Sequence, residues 1–286
     1  MTKIADFAAG APGPQLRPFI SSFSAMRYEG FPRGTHLGLP SRHLTVVVAL
    51  EAPLRLVDRS RRVDSFTALV GGLHASAVAI EHEGRQAAVT LELTPAGARS
   101  LLGVPAAELV GRVVHLEDLL GPLSRELEER LAEAPSWRGC FDVLDEVLTR
   151  RVGQIDEAER SMGRAWERIV ATGGAISVGD LANELGYSRR HLTDRFTREY
   201  GLTPKLAARV VRFERSASFL RNRERSRLTD RPSLATVAVF CGYYDQAHMA
   251  REWNELAGCP PSAWLAAEEL PFVQDAAPER ALRSSA

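Results

Sequence analysis

GYSRRHLTDRF, at Gly186–Phe196, shares its plan with GYYDQAHMAREW, at Gly242–Trp253. Each stretch opens with a Gly-Tyr pair, passes through a short polar turn, and continues as an amphipathic segment with a His before an apolar residue. Leu192 aligns with Met249 at an offset of 57 residues, whereas positions before the turn align at an offset of 56. The second turn therefore holds one extra residue. A repeat of this length indicates a duplicated supersecondary unit.

The first copy has the signals of two helices joined by a tight turn. Ser177 is a suitable N-cap, and Asp180 three residues later completes a capping-box pattern. Gly186 can end this helix in the left-handed conformation, and Ser188 can cap the next helix. The pattern predicts a helix-turn-helix unit at about residues 177–201.

The second copy repeats these signals at about residues 233–258, with Ser233 and Asp245 as the two caps. Between the copies, Thr203-Pro204 marks a helix start, because proline is tolerated in the first turn. Apolar residues then recur at spacings of three and four up to Leu220, which predicts one long linking helix. Such a helix would hold the two units at a fixed separation.

The second helix of each unit has one apolar and one polar face. Burying Leu192, Phe196 and Tyr200 in the first unit leaves the opposite side outward, and the same holds for the second unit. The candidate binding residues are Ser188, Arg189, Arg190, His191, Thr193, Asp194 and Arg195 in the first unit, and Gln246, Ala247, His248 and Arg251 in the second.

These side chains carry the donors and acceptors that read base edges in the major groove of DNA. Arg190 can pair with guanine, Gln246 with adenine, and Ala247 can contact a thymine methyl group. Two joined units suit two successive major grooves, roughly 34 Å apart on one face of a duplex. The sequence therefore predicts double-stranded DNA as the partner.

The ordered set of LANELGYSRRHLTDRFTREYGLTP, the linking helix and VAVFCGYYDQAHMAREWNELAGCPPSAW resembles the AraC/XylS-type transcription regulators, over about Glu157–Leu265. The resemblance implies a seven-helix DNA-binding domain, here 153–270, whose third and sixth helices read DNA. It also implies an activator or a repressor, with RNA polymerase as a further partner of an activator. Two departures are Pro260-Pro261, where the family usually has Thr-Pro, and Asp194, where a basic or amide residue is commoner.

Residues 1–152 have a different texture. Short β-branched or alternating runs fill about Leu37 to Leu93, and helical spacing follows, which predicts an α+β domain of short strands and then helices. The helical stretch FDVLDEVLTRRV, Phe141–Val152, would either form a homodimer interface or close the N-terminal core. This half, through HLGLPSRHLTVVVAL at His36–Leu50, LVGGLH at Leu69–His74 and LTPAGARSLLGVPAAELVGRVVHLEDLLG at Leu93–Gly121, resembles the leading domain of actinobacterial AraC-type regulators. The resemblance implies effector sensing or dimerisation without specifying a ligand.

Several classes of protein are disfavoured. Three scattered cysteines fit a reducing cytoplasm, and no apolar run reaches the ~18 residues of a membrane span. Five N-terminal histidines lack metal-ligand spacing, so we expect no metal, although a cupin-like fold would be able to bring them together in space. We expect no cofactor either. LVGGLH, Leu69–His74, predicts a hairpin or bulge and not a phosphate-binding loop.

No catalytic motif is recognisable in the sequence, although an enzyme tethered to DNA stays the alternative. Residues 271–286 are expected to form a flexible tail.

Overall fold

The computed structural model describes residues 3–57, 61–153, 157–225 and 232–267. The expected flexible tail at 271–286 lies outside these ranges. Within them, a strand-rich N-terminal region precedes a helical C-terminal region, which confirms the predicted fold class. In the same ranges, no helix combines the length and apolar composition that a membrane span requires.

Two antiparallel sheets build the N-terminal domain. One has the strand order β1-β2-β9-β4-β7-β10 and the other the order β3-β8-β5-β6. The strands are β1 (Ile4–Gly10), β2 (Ile20–Glu29), β3 (Gly34–Gly38), β4 (Leu44–Ala49), β5 (Leu54–Val57), β6 (Val63–Phe66), β7 (Ala68–Gly71), β8 (Val78–His82), β9 (Gln86–Leu93) and β10 (Val113–His115).

The central strand β4 shows how these sheets separate a core face from a cavity face. Leu44, Val46 and Val48 alternate with Thr45 and Val47, as the two-residue period of a strand requires. The first three are buried in the main core, and the other two are half-buried and line a cavity between the sheets. The domain therefore has a packed side and a hollow side.

The cavity between the sheets measures about 130 Å³. Glycine and threonine at several wall positions leave this space unfilled. His36, His74 and His82 also line it. Across the described ranges, no three His, Cys, Asp or Glu side chains are close enough together to hold a metal ion.

The paired glycines of LVGGLH end strand β7 and form neither a hairpin nor a bulge, which corrects the prediction for that stretch. A Cβ added at Gly72 would lie 1.8 Å from the carbonyl oxygen of Leu109. Only glycine allows the backbone of the following helical turn to approach so closely.

Helices cover the packed side of the larger sheet. They are α1 (Pro95–Gly97), which continues as a π-helical turn at Ala98–Leu102, a 3₁₀ helix at Ala106–Leu109, and α2 (Glu117–Leu120), α3 (Pro122–Glu133) and α4 (Trp137–Thr149). Phe141, Leu144 and Val147 of α4 are buried in the core. The stretch that sequence alone assigned either to a dimer interface or to the core thus closes the core.

The C-terminal helices follow the predicted order. They are α5 (Glu157–Ala171), α6 (Val178–Glu184), α7 (Arg189–Tyr200), α8 (Pro204–Arg225), α9 (Leu234–Phe240), α10 (Gln246–Ala257) and α11 (Pro261–Ala267). Ser177, Ser188, Ser233 and Asp245 cap α6, α7, α9 and α10. The predicted pair of units joined by a long helix is therefore confirmed.

Candidate nucleic-acid interface

Helix α7 is anchored by its apolar face. The Ser188 hydroxyl accepts the backbone N–H of His191 at 3.2 Å and fixes the start of the helix. Leu192 and Phe196 are fully buried, and Phe196 stacks on Trp166 of α5 with ring centroids 5.8 Å apart. This burial determines which side of α7 faces solvent.

The outward side of α7 exposes two groups in particular. The Arg190 side chain is 93% exposed, and its Nε lies 3.9 Å from a carboxylate oxygen of Asp194, which is 62% exposed. Arg189 instead folds back over α6, where a Cβ added at Gly179 would meet its guanidinium at 2.6 Å. The Thr193 hydroxyl donates to the carbonyl of Arg189 at 2.9 Å. Arg190 and Asp194 are therefore the groups of α7 most available to a ligand.

Two further candidate residues of α7 lie against Tyr187 in the turn. The Arg195 guanidinium lies 5.5 Å from the Tyr187 ring centroid, and its Nη1 donates to the Tyr187 hydroxyl at 3.3 Å. The His191 ring is 5.1 Å from the same ring and is exposed. Arg195 is half-buried, so its first role is to hold the turn against the helix.

Helix α10 has the same construction. Asp245 Oδ1 accepts the backbone N–H of His248 at 2.6 Å, and Met249 and Trp253 are fully buried. His248 is half-buried, and its Nδ1 accepts the backbone N–H of Tyr244 at 3.2 Å. The imidazole is thereby tied to the turn. The exposed candidate residues of α10 are Gln246, Ala247 and Arg251.

Tyr244 is a surface residue that the sequence interpretation missed. Its side chain is 89% exposed, directly before the cap of α10. Tyr243 occupies the position equivalent to Tyr187 and is buried, so Tyr244 is the extra residue of the second turn. The change of repeat offset from 56 to 57 was the signal that could have identified it.

A buried carboxylate fixes α10 on the linking helix α8. Glu252 is 5% exposed and lies between two arginines of α8. Its Oε1 accepts from Arg209 Nε at 3.0 Å and from Arg212 Nη2 at 2.6 Å. Nearby, Trp253 Nε1 donates to the Ser216 hydroxyl at 2.9 Å. These bonds orient the second recognition helix relative to the rod that joins the two units.

The N-terminal domain contacts the first unit directly. Arg99 of the π-helical turn donates from Nη2 to Glu199 of α7 at 2.8 Å. A Cβ added at Gly201 would lie 2.4 Å from a methyl carbon of Val110 and 3.1 Å from the Cα of Ala107, so the two backbones are close. The core of the sheets and the core of the first unit form one continuous apolar cluster.

The second unit has its own contacts with the N-terminal domain. Leu39, which follows β3, is buried in the apolar cluster of α8, α9 and α10. The backbone N–H of Arg42 donates to Glu214 Oε2 of α8 at 3.2 Å. The backbone N–H of Ala77 donates to the carbonyl of Leu256 at 2.8 Å. Both helix-turn-helix units thus contact the strand-rich domain.

Comparison with known proteins agrees with this architecture. A family model described as a helix-turn-helix domain matches residues 181–267. ToxT from Vibrio cholerae has a similar fold, with a TM-score of 0.50 at 12% identity over 87% of this chain and 99% of that chain. An apo variant of ToxT from the same organism gives a TM-score of 0.51 at 13% identity, over 86% of this chain and 97% of that chain. No curated protein sequence matches the chain.

The matched domain includes both recognition helices and the long helix between them. The similarity to ToxT covers 87% of this chain and therefore includes the strand-rich half. The order of a strand-rich region followed by a helical region is thus shared by the two proteins. The chain is therefore a DNA-binding transcription regulator with an AraC-type helix-turn-helix domain in its C-terminal region.

Proposed function

We propose that α7 and α10 enter two successive major grooves of one duplex and read base edges there. The main support is that α7 and α10 are built alike: each is capped at its start, buries its apolar face and exposes its polar face. Arg190 and Asp194 would read bases from α7 by hydrogen bonding to guanine and cytosine. Gln246, Ala247 and Arg251 would read bases from α10.

The other candidate residues would support this readout. Ser188 fixes the start of α7, and His248 fixes the turn before α10. Contacts with the phosphates and sugars of the DNA supply about half or more of the hydrogen bonds in protein–DNA complexes, and they set the register of the protein on the duplex. We propose that the remaining candidate residues either contact phosphates or position other groups. They are Ser188, Arg189, His191, Thr193, Arg195 and His248.

We also propose that Tyr244 contacts the DNA backbone or a base beside the second groove. A large aromatic side chain with 89% exposure, in the turn that leads into α10, has no packing role that explains it. Tyrosine hydroxyls are among the groups that bind phosphate oxygens.

The direct test compares Arg190→Ala and Arg251→Ala with Arg138→Ala, measured on the native operator after its genomic location has been mapped. Arg138 is a suitable control, because it is an 85% exposed arginine on α4 and loses the same charge. Each recognition variant should lose about 1–3 kcal/mol of binding free energy and relax specificity at one base pair. Losses in both that equal the control would contradict base readout.

We further propose that the N-terminal domain modulates DNA binding by holding a small molecule in the cavity between its sheets. The support is that the walls of this cavity continue into segments that contact both α8 and α10. We also propose that the protein forms a homodimer and that, if it is an activator, it contacts RNA polymerase. We propose the cytoplasm as the location of this activity, because a regulator of this kind acts on the genome.

We propose sensing, and not catalysis, as the task of this cavity. Its wall is mainly apolar, as is typical of ligand-binding pockets. Turnover of a metabolite by the full chain in the absence of DNA would revive the enzyme alternative.

A further inference from the structure

The cavity between the sheets has an apolar body. Side chains from both sheets point into it at alternate positions along each strand. The aliphatic members of this wall include Val47, Leu54, Leu56, Leu69, Val78 and Ile80. Because a comparable engineered cavity of ~150 Å³ binds benzene, a volume of about 130 Å³ is enough for a compact organic molecule.

The larger sheet and the segment after β7 contribute the polar groups of Thr45, Thr90 and His74 to this wall. Thr45 faces Gly71 across the strands, and Thr90 faces Val47 in the next pair. The ring of His74 lies 3.6 Å from the position of a Cβ at Gly71, which places it beside Thr45. Within the described ranges, the side chains of Thr45, Thr90 and His74 have no hydrogen-bond partner, although Thr90 is only 4% exposed. Thr45 and His74 are half-buried on the cavity wall, so these polar groups are available to a ligand in this space.

The charge of the wall narrows the class of ligand. The described residues that line the cavity include no Lys or Arg. The carboxylate of Glu81 is already paired with Arg55 Nη2 at 3.1 Å. Burial lowers the pKa of His74 below its ordinary value, which favours the neutral imidazole. A carboxylate beside Thr45, Thr90 and this neutral imidazole would be desolvated without a countercharge from them, and that costs several kcal/mol or more.

We propose that the cavity binds a compact, neutral molecule with an apolar body and one hydroxyl or carbonyl group, and that this group bonds to at least one of Thr45, Thr90 and His74. The proposal rests on the sensing role of the N-terminal domain and specifies its ligand. The two hydroxyls and the imidazole both donate and accept, so they recognise an alcohol, a phenol or a ketone equally well.

The test uses the full chain and matched small probes. n-Hexanol and p-cresol are the neutral probes, hexanoate and benzoate are the charged probes, and toluene is the probe without a polar group. Calorimetric titration and thermal unfolding at pH 7.5 report binding, because a ligand of the native state raises the Tm. The neutral probes should bind at least tenfold more tightly than the carboxylates.

Two sets of variants locate the site. Val47→Trp fills the cavity and should abolish binding, whereas Val63→Trp, on the exposed strand β6, should leave it unchanged. The double variant Thr45→Val with Thr90→Val should weaken n-hexanol by about 3- to 10-fold per hydroxyl bond lost and leave toluene unaffected. This double variant decides the matter if Val47→Trp does not fold.

Carboxylates that bind as tightly as the neutral probes, or more tightly, would overturn the proposed ligand class. The proposal would also fail if neither neutral probe binds, or if a probe still binds to a folded Val47→Trp variant. The DNA affinity of each complex is measured separately. A neutral probe that binds in the cavity without changing DNA affinity would contradict modulation by the N-terminal domain and leave the ligand class intact.

Discussion

The backbone N–H of Ala77 donates a hydrogen bond of 2.8 Å to the carbonyl oxygen of Leu256. Ala77 lies in the segment between β7 and β8 that also places His74 on the cavity wall. Leu256 is buried in the last turn of α10. The cavity and the second recognition helix are therefore separated by one short segment and one hydrogen bond. A displacement of this segment would reach α10 without any intermediate element.

The substitution Ala77→Pro removes this donor and tests its contribution. We expect the free energy of unfolding to fall by about 1–3 kcal/mol, because the carbonyl of Leu256 loses a partner in a buried environment. Amides in the last turn of α10 should also exchange with solvent faster. Ala77→Gly is the control, since it keeps the N–H and should retain slow exchange. Equal exchange rates in the two variants would show that the bond does not hold α10.

Glu252 and Glu255 offer a matched pair of carboxylates on α10. Glu252 is 5% exposed between Arg209 and Arg212, whereas the Glu255 side chain is 62% exposed and pairs with Arg209. Glu252→Ala removes the countercharge of the half-buried Arg212 guanidinium and one of the two carboxylate partners of Arg209, so we expect a loss of about 3 kcal/mol. Glu255→Ala should cost less than ~1 kcal/mol. Urea unfolding measures both, and similar losses would contradict the special position of Glu252.

Tyr244 provides a test of the second reading unit that does not involve charge. Tyr244→Ala should weaken operator binding by about 0.5–1.5 kcal/mol, the range of one hydrogen bond. The thermal stability should be unchanged, because the side chain is 89% exposed. Val239→Ala is the control, an apolar residue of α9 with 66% exposure. Fluorescence anisotropy with a labelled operator gives both affinities, and equal values for the two variants would remove Tyr244 from the interface.

His43 predicts a specific dependence of stability on pH. Its Nε2 accepts from Arg42 Nε at 3.4 Å, and its Nδ1 lies 3.4 Å from Glu92 and 3.9 Å from Glu214. Burial, helped by the charge of Arg42, lowers the pKa of His43 to about 3. The unfolded chain therefore binds a proton near pH 6.5 that the native state does not bind, and stability falls as the pH drops below this value.

For this one group the slope cannot exceed about 1.4 kcal/mol per pH unit between pH 6.5 and 3. Burial raises the pKa of Glu214, which acts in the opposite direction as the pH falls. Comparing wild type with His43→Gln isolates the histidine term. Unfolding curves from pH 7 to 4 should be flatter for the variant, and parallel curves would exclude the titration of His43 as a cause.

The helical half could be predicted in detail because its determinants are local. Ser188 and Asp245 cap helices that begin one residue later, and Gly186 and Gly242 adopt the left-handed conformation at φ of 72° and 87°. These features depend on neighbours within a few residues. The sheets were predicted only where β-branched runs are dense. Strand β1, with the sequence IADFAAG, lacks such residues after its first position, and its pairing with β2 decides its conformation.

The candidate site was predicted as a surface but not as a set of contacts. Arg190 is exposed as expected, whereas Arg195 lies on Tyr187 and His248 is bonded to the turn. The helical period fixes the direction of a side chain to within a face of the helix. Which neighbour the side chain then contacts depends on its rotamer and on the adjacent helix, and the period carries no information about either.

The sequence by itself determined two helix-turn-helix units, their caps, their polar faces and the rod between them, because hydrogen bonding and burial within each unit act over a few residues. Only the tertiary structure decided that Leu39 and Ala77 join the strand-rich domain to α8 and α10, and that Thr45 and Thr90 face an unfilled space. These relations pair residues that are distant along the chain. Their free energy comes from packing two separately formed surfaces, and no local pattern of residues encodes how such surfaces meet.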